Sequence, residues 1–261
     1  MKPKALVLQA HGSNRDFDVI EALTLAGANA TGVPLNELRV NKTILSDFQL
    51  LVLPGGFSYA DALGAGKLLA LDLASYFANE ISSFIESGKP VIGICNGFQA
   101  LVKSGILPSG VGRRTVGEGA TLTFNAQGHF ECRWVTLKPI SKTCIWTRDL
   151  DELIECPVAH GEGNFQTSEL FPFSSFFEND QVALMYTHPN GTPAKGEYPI
   201  NPNGSIHDIA GLCNPQGNVL GLMPHPENHI HPHQHPQWTR RVKRHSGLAL
   251  FRNGVKYSSQ I

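Results

Sequence analysis

A cysteine framed by glycines at the end of an apolar run constrains this chain most. Gly93-Ile94-Cys95-Asn96-Gly97 follows Pro90-Val91-Ile92, a short β-branched stretch that predicts a buried strand, and precedes Phe98-Gln99-Ala100-Leu101-Val102, which predicts a helix. Small residues at 93 and 97 let the backbone turn sharply at 95, the geometry of a nucleophile elbow. Such a thiol sits at the C-terminal edge of a strand over a helix N-terminus, whose positive dipole end favours the thiolate. The plain alternative is a buried structural cysteine.

The 261 residues, 41% apolar and 16% charged, are enough for one full-sized α/β domain, and no linker divides them. We therefore expect a single domain over 1–261, with 228–261 as a C-terminal extension. A net charge of −1 argues against nucleic acid or an anionic membrane as partner. No apolar run reaches the roughly 20 residues of a membrane span. The five cysteines (95, 132, 144, 156, 213) are odd in number and lack Cys-x-x-Cys spacing. That pattern fits a reducing cytoplasm and no metal site.

Short strands (5–9, 29–33, 50–53, 91–94) alternate with helical stretches (16–26, a long one from about 62 to 86, 97–104), which predicts a parallel sheet covered on both faces. After Pro108 the texture changes. Strands at 120–125, 130–137, 182–186, 209–213 and 219–223 have little helix between them and predict added antiparallel strands. A short helix is expected at 247–251 and a surface loop over 190–204.

A cysteine nucleophile needs a histidine and a group to orient it. Two His-x-Glu pairs are available: His225-Pro226-Glu227 after an apolar strand, and His160-Gly161-Glu162 after Pro157-Val158-Ala159. Residues two apart on an extended segment share a face, so either pair can couple. Prolines 224 and 226 favour the first, whereas glycines 161 and 163 make the second read as a flexible surface or interface loop. Leu51-Val52-Leu53-Pro54-Gly55-Gly56-Phe57 supplies backbone N–H groups suited to an oxyanion, with Gly56 and Asn96 as donors.

These segments in this order, with Met223-Pro224-His225-Pro226-Glu227 last, resemble the class I, triad-type glutamine amidotransferases. Phe57-Ser58-Tyr59, Cys95-Asn96-Gly97-Phe98-Gln99 and Asn201-Pro202-Asn203-Gly204-Ser205 are similar to the family of glutaminase subunits of phosphoribosylformylglycinamidine synthase. The likeness spans roughly residues 5 to 228. It implies a doubly wound, mostly parallel α/β sheet of flavodoxin-like type with added antiparallel strands. It implies Cys95 as nucleophile, His225 as base and acid, Glu227 as orienter, and Gly55, Gly56, Phe57, Asn96 and Gln99 around the glutamine. The implied partners are L-glutamine, a synthetase subunit and a small accessory subunit. ATP and magnesium would be used by the synthetase and no cofactor by this chain, because Gly64-Ala65-Gly66-Lys67 lacks the first glycine (Asp61) and the Ser/Thr (Leu68) of a phosphate loop. The rivals are a free-standing γ-glutamyl hydrolase-like enzyme and a silent regulatory module of the same fold. Two departures stand out. The first loop reads Ala10-His11-Gly12-Ser13-Asn14 where the family usually has Phe-Pro-Gly-Ser/Thr-Asn. The tail alternates His229, His231, His233 and His235, better suited to a packed or solvated loop than to metal, before a basic cluster at 240–244.

Overall fold

In the computed structural model, which describes residues 1–110, 119–168, 172–240 and 246–261, the apolar runs pair as one nine-stranded sheet. Its members are β1 (Lys4–Gln9), β2 (Asn29–Pro34), β3 (Leu50–Leu53), β4 (Val91–Ile94), β6 (Glu131–Pro139), β7 (Ile154–His160), β9 (Val182–Thr187), β10 (Ile209–Cys213) and β11 (Val219–Leu222). The order is β2-β1-β3-β4-β11-β10-β9-β6-β7. The first five strands are parallel, and the rest alternate. β3, β4, β10 and β11 are buried along their whole length. That explains continuous apolar runs without a polar face. A separate ribbon pairs β5 (Ala120–Thr123) with β8 (Asn164–Thr167).

The crossovers carry α1 (Asp16–Leu25), α2 (Leu35–Val40), α3 (Lys67–Ser75), α4 (Ala78–Glu86) and α5 (Asn96–Lys103). The long helix expected over 62–86 is two helices. Gly64 and Gly66 hold positive φ before α3, and the chain turns at Phe77, whose ring drops into the core. α6 (Ser174–Glu178) precedes β9. The closing helix α7 (Leu248–Ser258) is longer than expected and packs against α1. No helix among the described residues is long and apolar enough to cross a membrane.

Strand directions place the C-terminal ends of β3, β4, β7 and β11 at one edge of the sheet. The antiparallel half curls, because β7, last in order, reaches back to the loop after β11: the His225 N–H donates to the Pro157 carbonyl at 2.8 Å. The His160 segment, and the last few residues of the mostly exposed 190–204 loop, are inside. His160 ends a strand whose alternate residues, Ile154, Cys156, Val158 and His160, are buried. The end of the 190–204 loop is a buried clamp in which Asn203 Nδ2 donates to the Tyr186 hydroxyl, and Ser205 Oγ donates to the Gly163 carbonyl.

Candidate active site

Cys95 sits between β4 and α5 with φ 50° and ψ −103°, a strained conformation for a non-glycine residue. Its neighbours must be glycine. A Cβ on Gly97 would stand 2.0 Å from the Leu53 carbonyl oxygen, and one on Gly93 would stand 2.5 Å from Leu101 Cδ1. The elbow is thus clamped between β3 and its own helix. The thiol is nearly buried and lies 3.6 Å from the Ala159 carbonyl oxygen at the end of β7.

β11 delivers the second component. Beyond its end, Pro224 and Pro226 flank His225, whose Nδ1 is 2.7 Å from Glu227 Oε1. Glu227 is fully buried in a tight turn, Pro226–Asn228. A carboxylate on Nδ1 fixes that nitrogen as the protonated one and leaves Nε2 for chemistry. Nε2 has no hydrogen bond among the described residues. Burial favours the neutral ring, but the charges of Glu227 and Cys95 outweigh it and push the His225 pKa up to about 10. Behind this pair, burial and the Glu227 charge keep Cys156 a thiol.

The loop after β3 closes the site. The Phe57 N–H donates to the Gly12 carbonyl at 2.9 Å, and the Asn14 N–H reaches the Gly55 carbonyl at 3.4 Å, so the Gly12–Asn14 loop cradles Gly56. Gly56 has φ 136°. The Gly56 N–H and that of Asn96, the first residue of α5, have no acceptor among the described residues. The Phe57 ring is about half exposed at the rim.

The side chains of Asn96 and Gln99 join the surrounding loops. Asn96 Oδ1 accepts from the Ser58 N–H, and its Nδ2 donates to Asp61 Oδ1 and Gln99 Oε1. Gln99 Nε2 donates to the Glu162 carbonyl at 2.7 Å. Both ends of each amide are thereby bonded within the protein. Glu162, the carboxylate of the other His-x-Glu pair, is also structural: it receives the Ala65 N–H and Lys103 Nζ, each at 3.2 Å. It does not orient His160. The segment resembling a phosphate loop is consumed in the same packing, since a Cβ on Gly66 would meet the Ala100 nitrogen at 2.8 Å.

The tail histidines serve packing. His229 and His235 set their rings against Trp134 at 5.2 and 4.6 Å, while His231 Nε2 lies 2.9 Å from Glu21 Oε1. No three histidine, cysteine or carboxylate side chains among the described residues converge as a metal site. Arg240 forms part of a short turn, and residues 241–244 of the basic cluster lie outside the described residues.

Sequence reasoning missed Asn125, Gly12–Asn14 and the Asn201–Ser205 clamp as components that shape the site. The glycines and asparagines were visible, but not which strands they join.

Comparison with known proteins agrees with this geometry. Residues 2–258 match the CobB/CobQ-like glutamine amidotransferase domain family. The phosphoribosylformylglycinamidine synthase subunit PurQ of Treponema denticola is 51% identical over 98% of this chain and 99% of its own. That of Dehalococcoides mccartyi is 41% identical over 100% and 99%. Among solved structures, a chain of PurLQS from Thermotoga maritima superposes with a TM-score of 0.73 and 32% identity, covering 98% of this chain and 99% of that one. The chain belongs to the glutamine amidotransferases, within the family of PurQ subunits of phosphoribosylformylglycinamidine synthase.

Proposed function

We propose that this chain hydrolyses the side-chain amide of L-glutamine through Cys95, His225 and Glu227 and hands the ammonia to a synthetase subunit. The observation that carries the reading is the strained Cys95 elbow facing a buried His225–Glu227 pair 2.7 Å apart. Cys95 Sγ attacks the amide carbon while His225, whose raised pKa keeps the ring charged, holds on Nε2 the proton it has taken from the thiol. The oxyanion meets the Gly56 and Asn96 N–H groups, each worth roughly 3–4 kcal/mol in such a role. His225 then returns the proton to the departing nitrogen, which leaves as ammonia with a thioester on Cys95. Water, activated by the same nitrogen, releases glutamate, so glutamine and water become glutamate and ammonia.

The partner is a synthetase that uses ATP and magnesium to convert formylglycinamide ribonucleotide to its amidine, with a small accessory subunit completing a cytoplasmic complex. The names of the relatives support this assignment, and the solved PurLQS assembly supports the partner classes. The test is glutamate release from glutamine, by the chain alone and with its synthetase, for the wild type and Cys95→Ser. Cys95→Ser should release none and should resist labelling by 6-diazo-5-oxo-norleucine. Hydrolysis that survives the substitution would overturn the mechanism.

A further inference from the structure

His160 is a buried histidine for which the triad has no use, 2% exposed at the end of β7. Its tautomer is set by Asn125. The Asn125 Nδ2 donates to the carbonyls of His129 (2.9 Å) and His160 (2.8 Å), so its Oδ1 is the accepting end. That oxygen takes the Gly163 N–H at 3.0 Å and lies 3.1 Å from His160 Nδ1. An oxygen that can only accept requires a proton on Nδ1 and leaves a lone pair on Nε2. The lone pair has no partner among the described residues, although the atom is buried. A buried acceptor without a donor is destabilising, so a ligand that supplies the donor is favoured. The ring is also fixed in place: Gly163 lies so close that a Cβ there would be 2.5 Å from Cε1.

The preceding residue presents its carbonyl oxygen 3.6 Å from Cys95 Sγ. The end of β7 therefore sets one acceptor, the Ala159 carbonyl, beside the nucleophile, with the unpartnered His160 Nε2 on the next residue and within the electrostatic reach of His225. The β3 loop and α5 instead offer donors, the free N–H groups of Gly56 and Asn96. A primary carboxamide has the matching polarity, with an oxygen that accepts and an NH2 that donates. Resting on the glutaminase reading, we propose that the Ala159 carbonyl and His160 Nε2 receive the N–H hydrogens of the glutamine carboxamide and then hold the departing ammonia, forming an amide-selecting subsite. A γ-ester has no N–H to give, and a γ-carboxylate presents only lone pairs to these acceptors, which favours release of glutamate. Burial and the charge of His225 hold the His160 pKa to about 3. It thus has no proton on Nε2 to give, and ammonia held there stays the free base.

The experiment compares glutamine with L-glutamate γ-methyl ester, using the complex assembled with its synthetase. His160→Leu should lower kcat/KM for glutamine about 30-fold, as expected when a site loses its acceptor for a substrate N–H, and change ester hydrolysis by less than about threefold. His160→Gln, which keeps an acceptor, should recover part of the loss on glutamine. Ester turnover reports that the variant is folded and its triad intact. An equal fall on both substrates, or an unchanged preference for glutamine, overturns the subsite and leaves the glutaminase reading standing. A wild-type complex that releases no glutamate from glutamine overturns that reading, and the subsite with it.

Discussion

Gly55 lies against the imidazole of His225, so close that a Cβ at 55 would stand 2.6 Å from Cε1 and 3.3 Å from Nδ1. The loop proposed to supply oxyanion donors and the histidine proposed to move the proton are therefore in contact, although 170 positions separate them in sequence. Gly55→Ala should push the ring off Glu227 while leaving the sheet intact. A displacement near 1 Å costs on the order of 100-fold in turnover. Glutamate release should fall by about that factor, with the circular dichroism spectrum unchanged. Full activity in this variant would mean that the ring has slack the packing does not suggest.

Two buried histidines give stability opposite dependences on pH. The folded pKa of His225, about 10, lies above its ordinary value of 6.5, so its stabilisation is complete below pH 6.5 and is lost as pH rises toward 10. The folded pKa of His160, about 3, lies below 6.5, so its stabilisation is complete above 6.5 and is lost as pH falls toward 3. The thermal midpoint should peak between these limbs. The double substitution His225→Gln/Glu227→Gln, which leaves no unpaired buried charge, should flatten the alkaline limb. His160→Leu should make the acid limb shallower. Calorimetry from pH 4 to 10 checks both slopes.

Gly97→Ala tests the elbow as a packing device. The added methyl carbon meets the Leu53 backbone oxygen at 2.0 Å, and neither strand nor helix can retreat from a buried sheet. A loss of roughly 3 kcal/mol or more is expected, the range of severe core overpacking. Gly128→Ala is the control. Gly128 has φ 72° but open space around it, so the cost should stay near about 1 kcal/mol. Denaturant midpoints of the two variants should separate clearly; similar midpoints would show that the elbow tolerates bulk.

The parallel half of the sheet was legible because each of its strands is a local apolar run closed by a turn signal. The elbow was legible because its glycines flank the cysteine within five residues. β7 was not: Gly161 and Gly163 read as a mobile loop, and only pairing with β6 shows Ile154, Cys156, Val158 and His160 on one buried face. Asn125 closes the strand expected over 120–125, yet its side chain joins His129, His160 and Gly163. The bonds that Gln99 makes to Asn96 and to the Glu162 carbonyl were likewise invisible, because they join α5 to a loop 63 positions away. Long-range polar clamps of this kind leave no periodicity in a sequence.

The isolated chain should be a poor glutaminase that its synthetase switches on. The Gly12–Asn14 loop holds the residues either side of Gly56, the Phe57 N–H donating to the Gly12 carbonyl at 2.9 Å and the Asn14 N–H reaching the Gly55 carbonyl at a stretched 3.4 Å. Beyond it, Tyr59, Ala60, Asp61 and Leu63 all hold positive φ, and Leu63 is 76% exposed. Side chains in that conformation store strain, and an exposed leucine gives a partner something to press on. Contact there can aim the Gly56 N–H at the oxyanion, a loop closure of the kind that sets many turnover rates. Adding the synthetase should raise glutamate release at least ~10-fold. Leu63→Asn, a residue that accepts positive φ, should keep the basal rate and lose most of the stimulation. Equal rates for the isolated chain and the complex would remove the reason for a moving loop and point to a free-standing hydrolase.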